Sequence, residues 1–317
     1  MDFTKYTNIE QIESDIKSVT IQGATNVAIA TLEGIKLFTR RFTGQNMESF
    51  MNELETVAVR LSQARTNEPL AKNGVRYLTY NLRTKYAHIT DLSQIDDIVR
   101  TLSDEYLKMI EASKIRIIQN SEQIMNNVNE VLTHCHSSTV ESVIINRNND
   151  LGGNLVAVCT ETRPLFQGRI TATNLLNGGV KNTTLIADSA VESYIIGRGH
   201  TNIDVVFIGC DEITMQGDAI NKIGSWGVAS AAKFANKPLY VVGSILKTDP
   251  SSAFNPPKIE MRKADEIWKD APIGLNMVNP SFDLVDHELI TGFITELGII
   301  KPNEIETELK QSYPWLF

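Results

Sequence analysis

Cysteine is scarce in this chain: its 317 residues include three, Cys135, Cys159 and Cys210, and none of them forms a CxxC pair. Three scattered thiols do not make the even framework of a disulfide-rich secreted domain. We therefore expect a reducing compartment, and by default a cytoplasmic location.

Long apolar runs and an excess of positive charge are also missing. Residues 1–10 are polar and acidic, and no later run approaches the roughly 20 apolar residues that a membrane-spanning helix needs. The net charge is -8 and the isoelectric point about 5.3, whereas nucleic-acid binding needs a cationic face. We expect neither a membrane nor a nucleic acid as partner, so any bound phosphate must be met by local groups.

The chain has two halves with different hydrophobic patterns. Through residues 1–117 the apolar side chains recur every three or four positions, which predicts an N-terminal helical domain. Through residues 118–317 short β-branched runs alternate with helical stretches, which predicts a Rossmann-like α/β domain with a parallel sheet and crossover helices. No Pro/Gly-rich linker separates the halves, so we expect a long helix to bridge them. The predicted strands are 130–133, 155–159, 184–187, 205–209 and 238–242.

In an open parallel sheet, ligands bind beyond the carboxyl ends of the strands. Asp211 follows an almost wholly apolar predicted strand, where burial would raise the pKa of its carboxyl group and suit it to acid–base catalysis. Asp188 follows another strand and has two open interpretations, a site residue or the cap of a helix over 190–195. Polar residues follow four predicted strands in all, at Cys135 with Ser137, at 160–164, at Asp188 with Ser189, and at Asp211 with Glu212.

Cys135 lies in a polar turn, residues 133–138, between a predicted strand and a predicted helix. A helix start offers unpaired amide groups and a positive dipole end, which can hold an anion and lower the pKa of a thiol. The common alternative is a small buried apolar residue, but the polar neighbours favour a reactive site. His134 and His136 flank the thiol without a partner at metal-ligand spacing, so we expect them to form hydrogen bonds within the turn. No metal or cofactor is expected.

Two further segments contain groups that can bind phosphate. Residues 217–225 combine glycines with Asn221 and Lys222, and Ser225 is expected to cap a helix over 226–234. Arg65 interrupts the helical pattern of the first half, and the alternative for it is a salt-bridged surface arginine. Each segment alone is weak evidence.

Six separated motifs together carry a resemblance. They are Gln-Gly-Ala at 22–24, Arg-Thr at 65–66, Thr-His-Cys at 133–135, Thr-Glu-Thr-Arg-Pro with Gln-Gly at 160–168, Gly-Cys-Asp at 209–211, and the loop 217–224. In this order they resemble the superfamily of sugar-phosphate isomerases related to the alpha, beta and delta regulatory subunits of the initiation factor 2B exchange complex. The resemblance spans nearly the whole chain. The turn 133–138, the run 160–167 and the tail 278–283 are most similar to the archaeal-type ribose-1,5-bisphosphate isomerases.

The resemblance implies an enzyme that converts α-D-ribose 1,5-bisphosphate into D-ribulose 1,5-bisphosphate during salvage of nucleoside monophosphates such as AMP. It implies that Asp211 protonates the ring oxygen and that Cys135 moves a proton from C2 to C1. A thiol suits this task because its ordinary pKa, about 8.5, is nearer neutrality than that of a carboxylate. It also implies a homo-oligomer, either a dimer or a hexamer.

The resemblance further implies which residues contact the sugar phosphate. One position departs from the family pattern, because Gln22 stands where an arginine is usual. Charge-assisted bonds to phosphate are roughly twice as strong as neutral ones, so Gln22 weakens the anchoring of one phosphate, which we expect to be that on C1. A neighbour such as Arg76 could supply the missing charge. The implied contact residues are Gly23, Ala24, Arg65, Ser137, Asn221 and Lys222, with Lys247 a weaker candidate.

Two other functions remain open. A methylthioribose-1-phosphate isomerase would share the cysteine, the aspartate and the Asn-Lys loop, but it would need an apolar pocket in place of a second phosphate site. Arg65 and the turn 133–138 disfavour it, and we expect such relatives to match less closely. A non-catalytic regulatory subunit or sugar-phosphate sensor would tend to replace Cys135 and Asp211, both of which are present.

Overall fold

The computed structural model describes residues 3–198 and 201–317. The chain folds into two compact units. Unit one comprises residues 1–112, 246–250 and 309–317, and unit two comprises residues 113–245 and 251–308. Two later segments of the chain thus belong to the helical unit, whereas the boundary predicted from sequence is a single one between residues 117 and 118.

Unit one is helical. Asn8 and Asn46 cap the starts of two of its helices, where their side chains accept hydrogen bonds from the backbone amides of Gln11 (2.7 Å) and Ser49 (2.9 Å). Its helices are α1 (Ile9–Lys17), α2 (Ala24–Arg41), α3 (Met47–Ser62), α4 (Pro69–Lys85) and the first part of α5 (Ile95–Met125). The 31-residue α5 continues into unit two. This is the long helix expected from the lack of a Pro/Gly-rich linker between the halves.

The core of unit one forms where the apolar faces of these helices meet. Tyr106 is fully buried there, and its hydroxyl donates to the carbonyl of Leu70 at 2.7 Å. Gly74 makes room for the ring, since a Cβ at that position would lie 2.9 Å from it. Trp315, from the third segment of the unit, packs edge-on against the rings of Tyr77 and Tyr106. The last segment is therefore part of this core.

Unit two is built on a seven-stranded sheet with the order β10-β9-β7-β4-β1-β2-β3, in which all pairs are parallel except β9 with β10. The central strands β1 and β4 are almost entirely buried because helices cover a parallel sheet on both faces. The strands are β1 (Glu130–His134), β2 (Val156–Thr160), β3 (Asn182–Ile186), β4 (Val205–Ile208), β7 (Leu239–Val242), β9 (Gly292–Thr295) and β10 (Gly298–Ile300).

The helices of unit two that alternate with these strands are α6 (Ser138–Asp150), α7 (Gln167–Asn177), α8 (Val191–Ile195) and α9 (Ser225–Phe234). Near the end of the chain, α10 (Ile305–Ser312) begins in unit two and ends in unit one. A smaller antiparallel sheet has the order β5-β6-β8, formed by Glu212–Ile213, Ala219–Lys222 and Phe282–Val285. The predicted α/β class, a helical region followed by a parallel sheet with crossover helices, is confirmed. Within the described ranges, none of the helices has the length and apolar character needed to span a bilayer.

Candidate active site

The strand order reverses between β1 and β4. The chain moves outward from β1 through β2 to β3, then returns to place β4 on the other side of β1. Ligands of doubly wound sheets bind at such a switch point, outside the carboxyl ends of the strands. Cys135 directly follows β1, and Asp211 lies three residues after β4. His134 pairs with Ile208 in the parallel ladder, so both candidates emerge from neighbouring strands at the same level.

The thiol of Cys135 is buried, with 8% of the residue exposed. Burial raises the pKa of this thiol to about 12; the Lys222 ammonium lowers it and the Asp211 carboxylate raises it by smaller amounts. The expectation that the helix start would lower this pKa is therefore wrong, because desolvation outweighs the local amides and charges. At neutral pH the proton stays on the sulphur. The Asp211 carboxylate and the Lys222 ammonium are therefore close enough to the thiol to change its pKa.

Asp211 is fixed by the small sheet. Its amide donates to the carbonyl of Ile220 at 2.8 Å, and the next residue, Glu212, pairs with Ile220 in the antiparallel ladder. Asn221 and Lys222 follow Ile220 on β6, with 4% and 7% of their surfaces exposed. The candidate acid thus directly precedes β5, beside the strand that carries the Asn-Lys pair.

Ser137 lies against this group. It caps α6, where its hydroxyl accepts from the amide of Val140 at 3.4 Å. A Cβ on Gly209 would stand 2.9 Å from the Cβ of Ser137 and 3.9 Å from the amide oxygen of Asn221. Glycine at position 209 therefore allows the β4 end to approach both side chains. Cys135, Ser137, Asp211, Asn221 and Lys222 are brought together in unit two.

The loop after β6 differs from its prediction. Ser225 does not cap α9; its hydroxyl donates to the carbonyl of Lys222 (2.6 Å) and accepts from the side-chain amide of Asn221 (2.8 Å). Gly224, at φ +103°, is the N-cap residue, and Asp283 accepts from the amides of Gly224 and Trp226. The cap comes from β8, far along the chain, because the local serine is used to orient Asn221. The Lys222 ammonium also stacks on the ring of Phe282 at 4.7 Å.

Asp188 is not a helix cap either. Its two carboxylate oxygens accept from the backbone amides of Thr162 and Arg163, both at 2.7 Å, and it makes no capping bond to the helical residues that follow. Asp188 instead begins a 3-10 turn, Asp188–Ala190, and holds the loop after β2. The capping interpretation is wrong, since a neighbouring strand end offers two amides at once.

Both histidines bond outside the turn, contrary to the prediction. His134 is buried between Thr160 and the carbonyl of Ile223, and His136 contacts Glu141 at 2.8 Å on α6. Burial lowers the pKa of His134, which keeps its ring neutral. Over residues 3–198 and 201–317, no group of three or more His, Cys, Asp or Glu side chains could hold a metal ion.

The remaining candidates belong to unit one. Gly23, at φ +84°, is the N-cap residue of α2, and Ala24 is the first residue of that helix. Gln22 is exposed, and its carbonyl accepts from the side chain of Asn26. Arg65 pairs with Glu68 at 2.7 Å, and both side chains are at least nine-tenths buried. Arg65 is therefore salt-bridged, as the alternative for it predicted, but the ion pair is buried and not at the surface.

The segments that contain Arg65 and Lys247 both contact α4. Asn73 donates to the carbonyls of Leu246 and Thr248, on either side of Lys247. Lys72, on the same helix, contacts the carbonyl of Thr66 and the carboxylate of Asp249. The loop at 65–66 and the segment 246–249 therefore meet on one helix of unit one.

Sequence reasoning missed the residues that support this site. Thr162 lies in the polar run 160–164, where nothing in the local sequence marks its role, and Thr171, in the middle of α7, has no local signal. Asp283, which holds the start of α9, is about 60 residues from the helix it caps. Each acts through a contact between elements that are distant in sequence.

Known proteins resemble this chain over almost its full length. A methylthioribose-1-phosphate isomerase of Caldanaerobacter subterraneus is 32% identical, covering 98% of this chain and 92% of that protein. A ribose 1,5-bisphosphate isomerase of Thermococcus kodakarensis is 28% identical, covering 96% and 94%. The expectation that the methylthioribose relatives match less closely is wrong.

Solved structures agree with the fold. The crystal structure described as translation initiation factor eIF-2B of Pyrococcus horikoshii superposes with a TM-score of 0.75 at 21% identity, covering 93% of this chain and 97% of that one. The sequence pattern of the initiation factor 2 subunit family matches residues 20–302. With this match over most of its length, the chain belongs to the initiation factor 2 subunit family.

Proposed function

We propose that this protein is an aldose–ketose isomerase that converts α-D-ribose 1,5-bisphosphate into D-ribulose 1,5-bisphosphate. The observation that carries the proposal is the buried thiol of Cys135 at the switch point, influenced by the Asp211 carboxylate and the Lys222 ammonium. Curated relatives that catalyse isomerisation of sugar phosphates, by their names, support the reaction class. The turn 133–138, read with Arg65, supports the bisphosphate as substrate.

The reaction needs an acid and a base at adjacent positions. Opening the furanose ring transfers a proton to the ring oxygen, and isomerisation then removes the hydrogen on C2, adds one to C1 and releases the proton of the 2-hydroxyl. Atoms and electrons balance without an external reductant or oxidant. In this scheme Asp211 is the acid for the ring oxygen, and Cys135 carries the proton between C2 and C1.

The raised thiol pKa adds a step to this scheme. Cys135 begins protonated, so it must lose its proton before it can act as a base. Transfer of that proton to Asp211 would create the acid and the base together. The charge of Lys222 favours the resulting thiolate, and burial keeps water from an enediolate-like intermediate.

The binding residues divide between two kinds of groups. Backbone amides at Gly23 and Ala24, together with Arg65 and Lys247, supply donors and charge for one phosphate. Ser137, Asn221 and Lys222 supply donors beside the catalytic pair. Gln22 contributes a neutral donor. The reaction would belong to the salvage of nucleoside monophosphates, in the cytoplasm, with a homo-oligomer as the working form.

A second candidate is methylthioribose 1-phosphate as substrate. The pairing of Arg65 with Glu68 favours it, because it reduces the positive charge available for a second phosphate. The 32% identity to a methylthioribose-1-phosphate isomerase points the same way. A non-catalytic regulatory role, as in initiation-factor subunits, is disfavoured by the retained Cys135 and Asp211.

The experiment is direct. Purified protein is incubated with α-ribose 1,5-bisphosphate and, separately, with methylthioribose 1-phosphate, and ketose formation is followed by NMR. We expect turnover of the bisphosphate. Turnover of methylthioribose 1-phosphate alone would show that this sugar is the substrate instead. Turnover of neither sugar would reject the isomerase function.

The same assay tests the two catalytic roles. Cys135→Ser and Asp211→Asn should lose at least a hundredfold in kcat while remaining folded and binding substrate. Cys159→Ala and Asp150→Asn are matched controls, since Cys159 lies within β2 and Asp150 is exposed at the end of α6. Near-normal turnover by either catalytic variant would remove its residue from the mechanism.

A further inference from the structure

Cys135 has an unusual backbone. Its φ is +72°, in the left-handed region that residues with a side chain adopt rarely. Such conformations persist where surrounding groups hold them, and they cluster at functional sites. The question is which groups hold this one.

Two buried threonine hydroxyls hold the peptide groups on both sides of Cys135. Its N–H donates to Oγ1 of Thr162 at 3.0 Å, and Oγ1 of Thr171 donates to its carbonyl oxygen at 3.1 Å. Thr162 is fully buried and Thr171 is 1% exposed. Thr162 lies in the loop after β2 and Thr171 lies in α7, so two separate elements bind the backbone of Cys135.

The hydroxyl of Thr160, which lies beside Thr162, has a fixed direction. Nε2 of His134 is 2.9 Å from the carbonyl of Ile223, which can only accept, so this nitrogen carries the proton. Because burial keeps the ring neutral, Nδ1 must accept from the hydroxyl of Thr160 at 2.6 Å. Oγ1 of Thr162 accepts from the amide of Cys135, and its own proton can go to Oγ1 of Thr160, at 3.3 Å, or to the carbonyl of Thr160, at 3.4 Å.

These bonds form one chain, from the amide of Cys135 through Thr162, Thr160 and His134 to the carbonyl of Ile223. The far end of this chain of bonds, at Ile223, is next to Lys222. Gly224 packs against the His134 ring and has no Cβ, which would lie only 2.9 Å from the ring. Thr162 is itself held, since its amide donates to Asp188. The chain links the β1, β2 and β6 loops.

The second hydroxyl is held from the other side. Oγ1 of Thr171 lies 3.3 Å from Nδ1 of His136, which is 2.8 Å from a carboxylate oxygen of Glu141. The side-chain amide of Asn174 contacts both oxygens of Glu141 at 3.2 Å. Glu141 and Asn174 thus orient His136 beside Thr171.

We propose that Thr162 and Thr171 are positioning residues that fix Cys135 in its left-handed conformation and so aim the thiol at the sugar carbons. Neither hydroxyl transfers a proton to substrate; each acts through a peptide group of Cys135. The kinetic part of this inference rests on the proposed isomerase function, whereas its structural part does not.

The test compares Thr162→Val, which removes the accepting oxygen at nearly equal volume, with Thr162→Ser, which keeps it. We expect Thr162→Val to lower kcat at least tenfold with KM within threefold of wild type, and Thr162→Ser to stay within threefold in both. Thr173→Val is the matched control, because Thr173 is an exposed residue of α7 whose hydroxyl bonds only to its own helix at Arg169. Thr171→Val should behave like Thr162→Val and stands in for it if that variant does not fold.

A second readout is independent of the substrate. Iodoacetamide modification followed by mass spectrometry should show Cys135 reacting at least fivefold faster in Thr162→Val, with Cys159 unchanged as an internal reference. A crystal structure of the variant should show φ of residue 135 leaving the left-handed region. Wild-type kcat with unchanged alkylation, or equal losses in the serine and valine variants, would overturn the proposal. If wild-type protein turns over neither sugar, the function fails and the alkylation and φ measurements still decide whether the two threonines hold Cys135.

Discussion

At the scale of single residues, the position of Cys135 followed from the sequence but its chemical state did not. An apolar run leading into a polar turn placed the thiol at a strand end, where the structure has it. Its pKa is set by how completely unit two buries it, and Lys222, one of the charges that act on it, is almost 90 residues away. Local sequence gives helix ends and turns, whereas desolvation depends on every packed neighbour.

A residue-scale prediction concerns Gln22. Replacing it with arginine, Gln22→Arg, restores a charge at the start of α2, and charge-assisted hydrogen bonds to phosphate are about twice as strong as neutral ones. We expect KM for ribose 1,5-bisphosphate to fall by roughly tenfold, equivalent to about 1.4 kcal/mol of binding. KM for methylthioribose 1-phosphate, which carries the same phosphate on C1, should fall by a similar factor.

The control for this prediction is Gln45→Arg, which adds the same charge at another exposed position of unit one. Steady-state kinetics of both variants with both sugars separate a specific phosphate contact from a general change in charge. An equal effect of the two variants would contradict a phosphate contact at residue 22.

At the scale of elements, five parallel strands were predicted, whereas the buried parallel strand β9 and the antiparallel strands were not. Runs such as 205–209 are apolar and β-branched, so their pattern predicts a central strand, observed at Val205–Ile208. Ala219–Lys222 looks like a loop because it contains Asn221 and Lys222, yet it pairs with Phe282–Val285. This strand also pairs with β5 just before it, but β5 has two residues, and the longer pairing comes from a segment about 60 residues away, so the local signal is weak.

An element-scale prediction concerns two glycines at the start of α9. Gly224 has φ +103°, and a Cβ there would lie 2.9 Å from the His134 ring, whereas Gly227 is in the helix with nothing within 4 Å. Gly224→Ala should lower the free energy of unfolding by about 2 kcal/mol through strain and displacement of His134. Gly227→Ala should leave it unchanged or raise it by up to about 1 kcal/mol. Urea denaturation of both variants measures the difference, and equal stabilities would contradict this packing of Gly224 on His134.

At the scale of the whole molecule, buried thiols make stability depend on alkaline pH. Burial raises the pKa of both Cys135 and Cys159 from the ordinary thiol range, about 8.5 to 9.0, to about 12. Between these values the unfolded chain has lost the proton and the folded chain keeps it, so stability is full below about pH 9 and declines as pH rises towards 12.

The expected slope is about 1.4 kcal/mol per pH unit for each such thiol. Between pH 10 and 11, Cys159→Ala should remove the contribution of one thiol from the slope of the unfolding free energy against pH. Below pH 8 the pH dependence should stay as in the wild type. Urea unfolding at a series of pH values provides the comparison. An unchanged alkaline slope in the variant would mean that Cys159 is not protonated in the folded state at these pH values.

The assembly state is a further whole-molecule prediction. Light scattering after size exclusion should give a mass of two or six copies of the 35.3 kDa chain. Many exposed apolar side chains, including Phe254 and Ile273 of unit two, are available for contacts between copies. A monomeric mass at micromolar concentration would reject the homo-oligomer.

Unit one is assembled from three separate stretches of the chain, the last of them residues 309–317. During synthesis the ribosome delivers these residues after all of unit two, so the core of the first segment is complete only when Tyr313 and Trp315 have been added. A nascent chain arrested before that point would present helices with an unfilled apolar face, which is the kind of surface that chaperones bind. Synthesis of the helical unit therefore starts before that of unit two and is completed after it.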